Sequence, residues 1–428
     1  MDKCISLEAL QRMTISADSR WNKEESRPLL MHSVHVYPAK FPPLIAEEAF
    51  KYAEEEGVNC QNIADFFCGC GTVALEAKRR GLSFWGCDIN PVAVLIARAK
   101  TSQYEVDKLK MLYDKVILSY NDRKVSSIHS GCYKIASDRM KYWFTERTYQ
   151  ELFYLKKAID DSVTEEPYLT AFYCIFSSIL KSASKWLQKS IKPQIDPNKK
   201  EADVYALFSK QAEKFIKAAR EMGERTVSDS GIDIQHMDFL NSRYNRKVDL
   251  VITSPPYVTS YEYADLHQLS SLWLGFAEDY RDLRKGSIGS TYLSQEVDMD
   301  VLSLNKTGRV IVTGLKEAKV GMAKTKAIAR YYSEMEQVVK KSTRMINSNG
   351  MALFVIGNSE LKGVKLLNSN HLIESMYQSG FVDIKIAKRK IEKCLCIPYR
   401  DKKGKFTTQK SSKNEIYHEE YIISGRVK

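Results

Sequence analysis

In NIADFFCGCGTVALEAKRRG, apolar residues form a short run, break at closely spaced glycines and return at helical spacing until Gly81 closes the segment. LSFWGCDINPVAVLIARAK repeats this rhythm, with a strand ending near Asp88 and a second helix behind it. Upstream, HSVHVYPAKFPPLIAEEAFKYA is extended and proline-punctuated until Pro43, where an amphipathic helix begins with proline in its first turn. Strand, helix, strand, helix predicts a parallel sheet with crossover connections.

From about 101 to 230 the pattern turns helical, with aromatic and apolar residues three to four apart in KYWFTERTYQELFYLKKAI and AFYCIFSSILKSASKWL. Such a stretch is too long to be a loop. The strand rhythm resumes at GIDIQHMDFL and at KVDLVITSPPY, whose continuous apolar run suits a strand buried on both faces. Residues 258–324 are mixed and rich in Ser, Gly, Lys and Thr. After them IARYYSEMEQVVKKSTRMI predicts an amphipathic helix leading into the strand MALFVIG. HLIESMYQSGF gives one more helix, and VDIKIAKRKI and EIYHEEYIIS give terminal strands joined by the basic loop YRDKKGKFTTQKSSKNE.

The chain has 428 residues, 44% hydrophobic and 28% charged, with 20 Gly and 11 Pro, which excludes wholesale disorder and collagen-like structure. Its longest apolar runs, such as 171–179, fall short of the ~18–20 residues of a membrane span, so no membrane partner is expected. MDKCISLEALQRM lacks the apolar core of a signal peptide. Nine scattered Cys suit a reducing cytoplasm. A net charge of +12 favours a polyanionic partner without establishing one.

The chemistry gathers at two strand ends. Asp65-Phe66-Phe67-Cys68-Gly69-Cys70-Gly71-Thr72 lies between strand and helix, and Asp88 follows at the end of the next strand, close to the ~20-residue spacing of a glycine loop and a ribose-binding acid. Gly69 and Gly71 let backbone approach a ligand where a Cβ would collide. No Gly-Lys-Ser/Thr follows, which excludes a Walker phosphate loop, and the missing third glycine disfavours a NAD site. A ligand-free tight turn is the competing account. At the second end stands Thr253-Ser254-Pro255-Pro256-Tyr257. Two prolines cannot continue a sheet ladder, so they fix a rigid exit whose carbonyls stay free to accept hydrogen bonds. With the Ser254 hydroxyl and the Tyr257 ring, these are parts that could hold a planar amino-bearing base.

At these residues the chain resembles a family. DFFCGCGT is similar to motif I (D-P-F-x-G-x-G-T) of the amino-group DNA methyltransferases, TSPPY to their motif IV, HVYPAKFPP to their motif X and GCDINPVA to their motif II. SIKPQIDP, YEYADLHQLSSLWLG and ALFVIGNS also resemble stretches of bacterial restriction-modification methylases. Phe66 stands where the family usually has Pro, leaving both glycines in place, and the helical insertion lengthens the gap between motifs II and IV.

The resemblance implies an α/β fold of the Rossmann-like S-adenosylmethionine-dependent methyltransferase type, with a mostly parallel seven-stranded sheet and a helical insertion. Residues 1–100 would hold the N-terminal segment and the first half of the core, 101–230 the insertion and candidate target-recognition region, and 231–428 the second half from motif IV onward, within which 258–324 is a competing DNA-facing insert. S-adenosylmethionine contacts would come from Lys40 and Phe41, from Asp65, Phe67, Cys68, Gly69, Gly71 and Thr72, from Asp88, and from Asp238 in HMDF. Ser254, Pro255, Pro256 and Tyr257 would be catalytic. The implied reaction is site-specific methylation of an exocyclic amino group in double-stranded DNA, with a possible cognate restriction endonuclease as partner. Ser before Pro-Pro-Tyr leans toward cytosine N4 over adenine N6. Carbon-5 cytosine chemistry would need a Pro-Cys nucleophile, which the chain lacks. The remaining rivals are RNA or protein-glutamine methylation by the same fold, and an inactive DNA-binding homologue.

Lys181, Lys185, Lys189 and Lys192 recur every three to four residues up to Pro193, which predicts one basic helical stripe; Lys185, Lys189 and Lys192 are candidate DNA contacts, against the alternative of a solvated helix face. Arg400, Lys402, Lys403 and Lys405 form a second basic cluster. His32 and His35, even with Cys4, lack a second pair of metal ligands, so no metal is expected. Cys68 and Cys70 read as loop-lining residues, Cys394 and Cys396 as sharing one strand face, and Trp143 and Trp273 as core or interface residues rather than base wedges.

Overall fold

The computed structural model describes residues 15–16, 18–23, 27–38, 40–126, 131–225, 231–243, 246–258, 262–290, 298–299, 302–391 and 419–428. Ten strands occur among them: β1 (Ile15–Ser16), β2 (Asn62–Asp65), β3 (Ser83–Asp88), β4 (Ile232–His236), β5 (Val248–Thr253), β6 (Ile346–Ile356), β7 (Ser359–Leu361), β8 (Val364–Leu366), β9 (Phe381–Lys390) and β10 (Glu419–Val427). All but the β7–β8 hairpin join one sheet, ordered β1-β9-β10-β6-β5-β2-β3-β4. β10 alone runs antiparallel to its neighbours β6 and β9. The expected seven-stranded, mostly parallel sheet is present, and the two-residue β1 adds an eighth strand by pairing parallel to β9 at Ile15↔Ile386. It covers backbone groups that β9 would otherwise present as an open edge.

The sheet reverses its winding between β2 and β5. From β2 it proceeds through β3 to β4 on one side, and from β5 to β6 on the other, with β2 and β5 in parallel register at Ile63↔Leu250 and Ala64↔Val251. Such a switch point opens a crevice beyond the carboxyl ends of the strands. The chain therefore brings its glycine loop, which leaves β2, alongside Ser254-Pro255-Pro256-Tyr257, which leaves β5.

Helices α1 (Pro43–Glu55), α2 (Thr72–Arg79) and α3 (Pro91–Thr101) flank the sheet. Pro43 and Pro91 start α1 and α3, and the Asn90 side chain caps α3 by accepting from Val92 N at 3.0 Å. The insertion consists of α4 (Val106–Ser126), α5 (Asp138–Trp143), α6 (Glu146–Ser162), α7 (Tyr168–Ala183) and α8 (Val204–Arg225). Their apolar faces, including Val116, Phe172, Phe176 and Phe208, close one hydrophobic cluster together with Val92 and Ile96 of α3, so the insertion is packed onto the sheet's helical layer. After β5 come two short helices, α9 (Tyr263–Leu266) and α10 (Gln268–Trp273), then α11 (Lys306–Glu317), α12 (Met322–Met345) and α13 (Asn368–Gln378). Among the described residues no helix is long and apolar enough to cross a membrane.

The basic helical stripe is corrected. α7 stops at Ala183, and residues beyond it form an irregular hairpin in which Trp186 and Ile195 make an antiparallel bridge. Trp186 is buried and stacks on Trp143 with ring centroids 4.9 Å apart, packing that outweighs continued helix. The lysines cap the break: Lys181 Nζ donates to the carbonyls of Gln188 and Ser190, and Lys185 Nζ to Lys141 O. Lys189 and Lys192 are exposed on the hairpin. Arg400, Lys402, Lys403, Lys405, Cys4, Cys394 and Cys396 lie outside the described residues.

Candidate active site

β2 delivers Asp65 to the sheet's carboxyl edge, and the chain then turns through Gly69 (φ 49°) and Gly71 (φ 75°) into α2. The two glycines do different jobs. A Cβ at Gly71 would stand 2.7 Å from Ala97 Cβ, so this glycine lets α2 approach α3. Gly69 faces the crevice, where the nearest atom to such a Cβ, at 3.6 Å, belongs to the Tyr37 ring. Asp88, at the end of β3, ties the loop down: its Oδ2 accepts from Gly69 N at 2.9 Å and its Oδ1 from Asn90 N at 2.8 Å. Burial raises its pKa against the pull of these two N–H donors. Each carboxylate oxygen retains acceptor capacity for a further donor.

Asp65 lies beneath this surface. It is 3% exposed, and its Oδ1 accepts from Thr253 Oγ1 at 2.6 Å and from Phe67 N at 3.1 Å. The ends of β2 and β5 are thereby hydrogen-bonded to each other. Burial pushes this carboxyl up to about 7, although the Thr253 and Phe67 donors oppose the shift. An acid with a folded pKa above its unfolded value of ~3.9 adds stability below about pH 4, and that contribution is lost as pH rises through about 7. For Asp65→Asn, melting scans should therefore show the variant gaining on the wild type between pH 4 and 7, with a constant difference above about pH 8. A pH-independent difference would assign the carboxyl an ordinary pKa.

Beyond Thr253, the last paired residue of β5, Ser254 Oγ donates to Val355 O at 3.0 Å. Its proton is thus engaged, and its lone pairs remain as acceptors. Tyr257 Oη donates to Glu420 Oε1 at 2.8 Å. These residues share with the β2 and β3 loops a cavity of about 270 Å³. Phe67, Gly69, Asp88, Asp238, Ser254, Pro256 and Tyr257, all anticipated from sequence, line it. Asp238 accepts from Leu240 N at 2.9 Å and from Asn241 Nδ2 at 2.7 Å.

The remaining anticipated residues stand behind the wall. Asp65, Cys68, Pro255 and Thr72 are buried under it, and Gly71 is where α2 meets α3. Lys40 Nζ donates to His32 O at 3.3 Å, and Phe41 packs on the cluster that contains Cys68 and Val73. Neither Lys40 nor Phe41 lines the cavity, whereas Tyr37 of the same segment does. Tyr37 lines the cavity and stacks on His267 with centroids 4.9 Å apart. Burial holds His267 and His35 neutral, at about 3 and about 4, and His35 Nε2 pairs with Ser177 Oγ at 2.9 Å. His32 pairs with Glu76 at 2.7 Å. Among the described residues no group of three or more potential ligands could hold a metal.

Glu262, Tyr263, Ser290 and Lys324 also line the cavity, and sequence reasoning did not single them out. Glu262 and Tyr263 stand in YEYADLHQLSSLWLG, where the resemblance offered a signal, whereas Lys324 on α12 offered none. Burial lowers the Lys324 pKa; the Glu262 carboxylate opposes the shift, and Lys192 of the 186–195 hairpin adds a smaller push in the lowering direction. Phe66 also has an explanation: it is buried and stacks on Phe239 at 4.0 Å.

Residues 11–99 match the family described as DNA methylase, of the N6/N4 methyltransferase type. Over 367 residues the chain is 25% identical to the Type II methyltransferase M.MvaI of Kocuria varians, covering 79% of each protein. The chain is a relative of the restriction-modification DNA methyltransferases. It is also 25% identical over 275 residues to the Type II methyltransferase M.BsoBI of Geobacillus stearothermophilus, covering 54% of this chain and 50% of that one. A 170-residue stretch is 29% identical to Type II methyltransferase M.MjaII of Methanocaldococcus jannaschii, covering 38% and 30%. As a methyltransferase of this kind it is S-adenosylmethionine-dependent. The cavity fits that cofactor chemically. Asp88 offers acceptors suited to a ribose diol, Phe67, Met237 and Phe239 offer apolar surface, and Gly69 leaves room against the loop.

Proposed function

We propose that the protein methylates cytosine N4 within a specific sequence of double-stranded DNA, as the modification member of a restriction-modification system. The observation that carries this reading is Ser254: its hydroxyl donates to Val355 O at 3.0 Å, which leaves the oxygen's lone pairs as acceptors in the cavity shared with Asp88. An exocyclic amino group is a donor that must be aligned, and the Ser254 oxygen is the acceptor offered to it. S-adenosylmethionine supplies the electrophilic methyl group when bound. The chain's residues orient the amino nitrogen, polarise its N–H bonds and offer Tyr257 as a stacking surface. A base inside a duplex cannot reach so recessed a site, so the reading includes extrusion of the target nucleotide. Serine, in place of the Asp or Asn more usual before Pro-Pro in adenine N6 enzymes, supports cytosine.

Expression of the chain in a host lacking it, followed by sequencing that separates N4-methylcytosine from N6-methyladenine, tests the proposal. N4-methylcytosine at one recurring motif is expected. N6-methyladenine instead would transfer the same site to adenine, and unmodified DNA would favour RNA or an inactive DNA-binding homologue.

The exposed hairpin beside Lys324 supports a DNA-facing role for part of the insertion. Charge reversal at Lys189 and Lys192 should flatten the log–log salt dependence of duplex binding by ~0.9 for each phosphate no longer neutralised. Lys185, engaged by Lys141 O, is expected to contribute less. An unchanged slope would move the cleft to 258–324 and the basic loop around Lys402 and Lys405.

A further inference from the structure

Tyr257 is held by residues far from it in sequence. Its hydroxyl donates to Glu420 Oε1 at 2.8 Å, and Glu420 Oε2 accepts from Arg389 Nη1 at 2.9 Å. Glu420 on β10 and Arg389 on β9 face each other directly in the antiparallel ladder, so the ion pair is a cross-strand pair fixed by sheet register. Both side chains are largely buried, 16% and 17% exposed, which shields the charges from solvent. On another side the ring lies against Gly357, just past β6, where a Cβ would stand 3.0 Å from Tyr257 Cε2. The Gly357 carbonyl is itself fixed, accepting from Asn368 Nδ2 at 2.8 Å.

We infer that Glu420, ion-paired with and aimed by Arg389, is a positioning residue that works with Gly357 to hold the Tyr257 ring at the angle needed to receive the extruded base. The inference rests on the reading of Tyr257 as the stacking surface. Tyr257 follows two prolines, which fix the backbone, but its side-chain torsions remain free and need a partner at the ring's far end. A carboxylate acceptor gives a strong charge-assisted hydrogen bond, and Arg389 keeps that carboxylate from being an unpaired charge in a half-buried place. Burial, with the Glu420 charge beside it, raises the phenol pKa well above its ordinary value, so the hydroxyl remains a donor. The C-terminal hairpin thereby braces the catalytic corner of the switch point.

The test uses the full chain and complex genomic DNA lacking the modification, in which any short site recurs. Glu420→Ala should lower kcat by about 10- to 100-fold, with the KM for DNA and the Kd for S-adenosylmethionine unchanged, because misplacing a group by about 1 Å has that order of effect. Glu420→Gln, which keeps an acceptor oxygen, should recover most of the lost rate. In a Tyr257→Phe background, Glu420→Gln and Glu420→Ala should have no further effect, since the hydroxyl they address is gone. Gly357→Ala should lower kcat in either background. A wild-type rate for Glu420→Ala, or losses that multiply in the double variant, would overturn the positioning role and leave the base-stacking reading intact. If Glu420→Ala does not fold, Tyr257→Phe, which deletes the same hydrogen bond from its other end, should itself lower kcat by about 10- to 100-fold, and a wild-type rate for it would overturn the positioning role. A wild-type rate for Tyr257→Ala would instead remove the stacking reading.

Discussion

Ser254→Ala should reduce methyl transfer by ~10²-fold or more while S-adenosylmethionine binds with an unchanged Kd, the order of loss expected when a preorganised polar group at the reacting centre is removed. The serine oxygen is preorganised in a literal sense. β5 and β6 run parallel in register at Thr253↔Phe354, which brings Val355 O to 3.0 Å from Ser254 Oγ and commits the hydroxyl proton. Alanine removes the acceptor offered to the amino group and frees Val355 O, at a stability cost of about 1 kcal/mol that melting would register separately. Tyr257→Ala should produce a similar loss in turnover by removing the stacking surface. Single-turnover kinetics with calorimetry of cofactor binding separate the two effects. A near-wild-type rate for Ser254→Ala on DNA carrying the site would remove Ser254 from catalysis.

The sheet and both loops at its switch point were legible because local sequence dictates them. Apolar runs such as VDLVIT specify strands, two glycines make a turn other residues resist, and two prolines end a ladder wherever they occur. Those signals picked out Gly69, Asp88, Ser254 and Tyr257, and the fold brings them to one cavity. Long-range contacts were not legible. Tyr37 reaches the cavity because His267, from beyond β5, stacks on it, and Lys324 arrives from a helix whose charged positions look alike in sequence. Lysine periodicity after α7 suggested continued helix, yet Trp186 finds Trp143 in another helix and the backbone turns away. Glu420 carries no local motif, and its relation to Tyr257 exists only once β10 has paired with β9.

Asp88→Ala should weaken S-adenosylmethionine binding by about 1–3 kcal/mol, or roughly 5- to 150-fold, the range for losing hydrogen bonds to a charged acceptor. Two losses contribute. One is direct, the acceptors available to a ribose diol. The other is organisational, because Asp88 Oδ2 and Oδ1 hold Gly69 N and Asn90 N, and through them the left-handed turn and the start of α3. Asp88→Asn distinguishes the two: the amide keeps one acceptor oxygen but presents N–H groups to a backbone donor, so the loop is disturbed almost as much as by alanine while one ligand acceptor survives. If loop organisation dominates, Asn and Ala variants should show similar affinity losses and similar falls in melting temperature without cofactor. If the direct hydrogen bonds dominate, Asn should retain a measurable share of the affinity that Ala loses. Isothermal calorimetry on both variants decides between them, and unchanged affinity in Asp88→Ala would transfer the ribose contact to another acid lining the cavity, of which Asp238 is the first to examine.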